Sequence, residues 1–142
     1  FERAREMSES WVELMDADVM PANSAERIGV AAAKGRDDLA DLCAQTVEQV
    51  RMAYADAGRA LGPAGTVPAG LKARAIAIAL WRFVSEGVAK NEGVQTRARE
   101  QAAEEARKWL DALGRGEVGG RGSGPSVAAR RRDFGMEAEE GL

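Results

Sequence analysis

Residues 68–91, PAGLKARAIAIALWRFVSEGVAKN, and residues 92–118, EGVQTRAREQAAEEARKWLDALGRGEV, decide the fold. In the first stretch Leu71, Ala75, Ile78, Ala79, Arg82 and Phe83 recur at helical spacing. Ile76, Leu80 and Val84 form an adjoining stripe, so this helix is apolar over most of its surface and should be the central, most buried one. In the second stretch Ala98, Ala102, Ala106, Trp109, Leu110 and Leu113 share one stripe. Arg97, Glu100, Glu104, Arg107, Lys108 and Asp111 cover the remainder, which is the pattern of a surface helix lying against the first. The turn between them falls at Asn91-Glu92-Gly93. The stop falls at Gly114, because a glycine tolerates the positive φ that commonly follows a helix end.

Working outward towards the N-terminus, Pro68 is expected to start the central helix. Gly62-Pro63-Ala64-Gly65-Thr66-Val67 before it reads as a loop. Upstream, Leu39, Leu42, Cys43, Thr46, Val47, Val50, Ala53, Tyr54, Ala57 and Leu61 keep helical spacing behind a cap at Asp37. The implied helix has about 22 residues and a length of roughly 33 Å. Ser24 is placed to cap a short helix running to Lys34 and closed by Gly35. Residues 1–20 are acidic, and Trp11, Leu14, Met15 and Val19 are spaced for one apolar face. That spacing predicts a short helix capped by Ser8 or Ser10 and ending before Met20-Pro21, since a residue before proline avoids the helical region. No alternating strand pattern of useful length is present.

Beyond Gly114 the composition changes, with six glycines between 114 and 124 and then Pro125. This reads as a flexible arm. At its far end stand Arg130, Arg131, Arg132 and Phe134, followed by Glu137, Glu139 and Glu140. The fold class is therefore all-α, a small helical bundle with long central helices and an extended C-terminal arm. Residues 1–23 form an acidic helical segment, 24–113 the helical core, and 114–142 the arm with a docking tail.

Composition narrows the function classes. The 142 residues suffice for one modest core, and with aromatics at 5% much of the 45% apolar share is alanine, so burial against copies of itself would help. A net charge of -3 argues against duplex nucleic acid as the main partner. The chain has no histidine, which removes the usual general base and the usual metal ligand. Its single cysteine, Cys43, excludes an internal disulfide, and no signal-peptide pattern opens the chain. The most apolar run is interrupted by Lys72, Arg74, Arg82 and Glu86, so no membrane span is expected.

Several spellings that suggest chemistry have plainer accounts. Gly114-x-Gly116-x-x-Gly119 has the letters of a dinucleotide fingerprint but follows a helix and leads into more glycine, where that motif needs a strand before and a helix after. Asp37-Asp38-Leu39-Ala40-Asp41 resembles a magnesium-diphosphate helix. The chain offers no second aspartate cluster, and acids in a first turn favour the positive end of the helix dipole. Cys43 lies on the apolar face of its helix with no histidine to activate it. Glu104 and Glu105 point about 100° apart and have cations within reach on the same helix, as on a solvated charged face. No catalytic, cofactor or metal site is expected. The basic run is different: Arg130, Arg131 and Arg132 supply +3, and Phe134 an apolar anchor beside them. Asp133, Glu137, Glu139 and Glu140 answer with -4, which favours a protein partner over DNA.

The sequence resembles the head-tail connector (adaptor) proteins of tailed phages, in particular the Mu-like connector family. The resemblance rests on Pro68 with the alanine-rich helix to Val84 and on the charged helix closing as Arg107-Lys108-Trp109-Leu110-Asp111-Ala112-Leu113-Gly114-Arg115-Gly116. Arg132-Asp133-Phe134 adds an Arg-x-Phe near the C-terminus, and the match covers residues 37–134. It implies a structural virion protein at the head-tail junction, assembled in a bacterial cytoplasm. Such a protein forms a ring, commonly of twelve subunits, below the portal, extends the DNA channel and meets neck, stopper or tail-completion proteins. Arg130, Arg131, Arg132 and Phe134 would be the portal-docking residues. The competing reading is a helical DNA-binding protein, a helix-turn-helix regulator or small terminase subunit, suggested by the outline of helix 24–34, Gly35 and the next helix. A recognition helix opening Asp37-Asp38 would face base edges with the wrong charge. A small helical enzyme is a third, weaker alternative.

Overall fold

A computed structural model describes residues 10–88 and 93–117. Its elements are β1 (Trp11–Glu13), α1 (Asp16–Val19), α2 (Ala25–Lys34), α3 (Leu39–Asp56), β2 (Thr66–Pro68), a 3-10 turn (Ala69–Leu71), α4 (Lys72–Ser85) and α5 (Arg97–Gly114). The fold is a small helical bundle in which α3, α4 and α5 pack on one another.

The helices start and stop largely where side chains satisfy their ends. Ser24 Oγ accepts from the Arg27 N–H at 3.2 Å, and Gly35 closes α2 at φ 79°. Asp37 Oδ1 accepts from the Leu39 N–H at 3.3 Å as α3 begins. That helix runs 18 residues and stops at Asp56, short of the expected Leu61. Gly58 takes φ +81° there, and the Arg59 N–H folds back onto the Tyr54 carbonyl, which ends the ladder although the apolar spacing continues.

α4 also differs from expectation at both ends. Pro68 lies in extended backbone as the last residue of β2, and the chain makes a 3-10 turn before the helix begins at Lys72. Its end comes at Ser85, with Gly87 at φ +77°. Within these limits α4 is the central helix, and Ala75, Ile78, Ala79, Phe83 and Val84 are inaccessible to solvent. Alanines on that face let its neighbours approach closely.

α5 starts under a Thr96 cap, whose Oγ1 accepts from the Arg99 N–H at 3.2 Å. Its buried face is Ala103, Ala106, Leu110 and Leu113. Ala98 and Ala102, assigned to that face by spacing, are exposed, and Ala103 takes the inner position. Alanine runs leave helix rotation poorly marked in sequence, and packing on α4 settles it. At the C-terminal end the left-handed residue is Gly116 (φ +78°), two positions beyond the expected stop.

The N-terminal segment departs most from expectation. Residues 11–13 form a strand, and the helix around Trp11 is confined to α1, which ends before Pro21. β1 pairs antiparallel with β2 in the register Trp11↔Pro68, Val12↔Val67 and Glu13↔Thr66, and the Ala69 N–H donates to the Ser10 carbonyl at 2.8 Å. Three residues are too few to display period-2 alternation, and the pairing partner lies more than 50 positions away in what reads locally as a loop. Leu14 and Met20 join the same buried cluster as Leu39, Val50 and Phe83, so residues 11–20 are built into the core. Trp11 meets Tyr54 edge-on, with ring centroids 5.3 Å apart.

Candidate functional site

Arg130, Arg131, Arg132 and Phe134 lie outside the described residues. The described chain ends just beyond α5, at Glu117. After α5, Arg115 and Glu117 form a two-bond pair at 2.9 and 3.0 Å, and the Glu117 N–H closes onto the Ala112 carbonyl. This exit from α5 lies beside the C-terminal half of α3, where Gly114 faces Ala53 and Asp56.

Most charged groups that sequence reading could have offered as chemistry are structural here. Arg27, which was not singled out, is buried at 5% exposure. It donates to the Met20 carbonyl at 2.8 Å, to Asp16 at 2.8 Å and to Asp37 at 3.0 Å. Burial opposes its charge, yet the hydrogen bonds it donates to Asp16 and Asp37 outweigh that, so its proton is held more firmly than usual. The same guanidinium keeps the Asp16 carboxyl below its ordinary range. Lys34 Nζ binds Asp38 at 2.8 Å and the Phe83 carbonyl at 3.2 Å. Asp37 and Asp38 are thus engaged as ion-pair partners that tie α2 to the start of α3, and the magnesium spelling has no role left to explain. Arg99 grips Glu26 with two bonds, at 2.6 and 3.1 Å, which lowers that carboxyl's pKa and joins α5 to α2.

Arg51 performs a comparable task for the loop before β2. It donates to the carbonyls of Gly62, Pro63 and Thr66 and lies over the Trp11 ring at 5.6 Å. A single arginine thereby ties the Gly62 and Pro63 carbonyls of the loop to the Thr66 carbonyl at the start of β2. Cys43 is 2% exposed, and burial pushes its thiol up to about 11, which suits an inert core residue. Among the described residues no group of His, Cys, Asp or Glu is arranged to hold a metal ion, and no helix is long and apolar enough to cross a membrane. Glu104 and Glu105 are exposed on α5.

Among the described residues, two open grooves lie beside α5. One, of about 540 Å³, runs between α4 and α5 over Ala73, Ala77, Ala102 and Ala106, with the Arg74 guanidinium 4.1 Å from the Trp109 ring centroid at its edge. The other, of about 380 Å³, runs between α3 and α5 beside the chain exit. Gln49 lines it, and its Oε1 is buried with no hydrogen-bond partner among the described residues. Exposed Met52 stands on the same wall at 66%. Neither groove brings together an acid, a base and a nucleophile among its described lining residues. Trp109 was legible as part of the α5 stripe. Gln49 carried no sequence signal, because a glutamine in a helix is ordinary until its neighbours are known.

No family model matches the chain, and no match was found among the curated proteins or the solved structures.

Proposed function

We propose that this chain is a non-enzymatic assembly protein, a phage head-tail connector that forms a ring below the portal, extends the DNA channel and joins the capsid to the neck and tail. The observation that carries this reading is the order of parts. A buried alanine-rich α4 is followed by a charged α5 closing on Trp109-Leu110, and then by a glycine-rich stretch ending in Arg130, Arg131, Arg132 and Phe134. In this reading the helical bundle builds the ring, commonly a dodecamer, and the tail reaches the portal. A net charge of -3 suits a channel wall along which DNA slides without being held, since phosphate repulsion opposes tight binding. The engagement of Asp37 and Asp38 with Arg27 and Lys34 at the start of α3 speaks against the DNA-recognition alternative, which needs free donors at that helix start.

The test is the solution mass by light scattering, alone and with the cognate portal, for the full chain and for a variant with Arg130, Arg131, Arg132 and Phe134 replaced by alanine. A ring, or a protein that joins the portal only with those four residues intact, supports the connector. A compact dimer indifferent to portal and shifted by duplex DNA at low salt would replace it with the DNA-binding reading.

A further inference from the structure

The groove between α3 and α5 offers both charge and apolar surface. Its rim is acidic: Asp56 and Asp111 stand on it, while Arg115, the cation there, is occupied by Glu117. Its apolar wall is Met52, Ala53 and Leu110, with Met52 largely exposed. A fitting occupant presents guanidinium groups to the carboxylates and an aromatic ring to the methionine.

This chain contains such an occupant. Arg130, Arg131 and Arg132 are its run of three consecutive basic residues, and Phe134 follows two positions later. The described chain ends at Glu117, three residues beyond Gly114, which lines the groove. The 13 residue steps from Glu117 to Arg130 span up to about 45 Å, so reach does not limit a return to a groove that begins at the exit.

We propose that the α3/α5 groove receives this chain's own residues 130–134, with the arginines on Asp56 and Asp111 and Phe134 against Met52. The inference goes beyond the connector reading and does not rest on it. Where both hold, the tail is parked on its own domain until a partner with a better surface displaces it, because one segment cannot occupy two sites.

Brief trypsin digestion of the full chain, followed by mass spectrometry, tests this. The bonds after Arg130 and Arg131 are compared with the bond after Arg121, and each with the same bond in a free synthetic peptide of residues 118–142. Docking slows cleavage after Arg130 and Arg131 by about ten-fold or more relative to the peptide, since cleavage follows the open population, and leaves Arg121 within about two-fold. Protection should disappear in the Asp56→Lys/Asp111→Lys double variant and in about 0.5 M sodium chloride, which screens exposed charges. Met52→Ala removes the exposed apolar contact offered to Phe134, and should weaken protection even if the double variant fails to fold. Cleavage of the full chain at peptide rates overturns the proposal. So does protection that survives charge reversal in a folded variant. Protection that rises with protein concentration also overturns it, by assigning the groove to a second copy's tail.

Discussion

Replacing Arg27 with methionine keeps an unbranched stem of good helix propensity and removes only the guanidinium. Three sets of bonds go with it: to the Met20 carbonyl at 2.8 Å, to Asp16 at 2.8 Å, and to Asp37 at 3.0 Å. The Met20 carbonyl is buried where Arg27 reaches it, and leaving it unpaired costs about 1–3 kcal/mol. The carboxylates are 32% and 42% exposed, so water partly replaces the lost cation and each pair is worth no more than about 0.5–1 kcal/mol. Together the expected loss is about 2–5 kcal/mol. For a domain of this size that lowers Tm by at least about 8 °C. Urea unfolding at pH 7, followed by far-UV circular dichroism, measures it directly. Arg27→Lys should fall between the two, because an ammonium cannot serve three acceptors in a fixed fork. A loss below about 0.5 kcal/mol for Arg27→Met, the range of an ordinary surface substitution, would refute the view that this arginine ties α1 to α2 and α3.

Three further outcomes are expected. Asp16 and Glu26 have folded pKa values lowered from 3.8 and 4.5 by hydrogen bonds from Arg27 and Arg99. Their contribution is therefore complete above those values and lost as pH falls through the folded ones; acid titration of stability should drop below about pH 4.5, and less steeply in Arg27→Met. A Cβ at Gly62 would fall within 3 Å of three atoms of the Trp11 indole, itself held by Tyr54 and Arg51; Gly62→Ala should destabilise by about 1–3 kcal/mol and shift tryptophan fluorescence, and Trp11→Phe in the same chain should relieve part of the loss. The Cys43 thiol, buried and pushed up to about 11, should react with an aromatic disulfide reagent at pH 8 only at the rate of unfolding, and rapid labelling of the folded protein would contradict its core position.

Where local chemistry alone sets a feature, the sequence was sufficient. Ser24 and Gly35 bracket α2 because a hydroxyl cap and a left-handed glycine act within one turn of themselves. The all-α class and the central place of α4 followed from a 3.6-residue apolar period strong enough to outweigh its flanking charges. Tertiary structure decided what depends on partners distant in sequence. Residues 11–13 became a strand because residues 66–68 offer free backbone groups and Tyr54 covers the indole. Ala103 turned inward in place of Ala102 because helices rich in methyl groups leave rotation to be chosen by the surface they meet. The Arg27 and Arg51 hubs, and the orphaned oxygen of Gln49, exist only once separate segments are brought within 3 or 4 Å of one another, a condition set by the packing of the whole bundle and by no residue type alone.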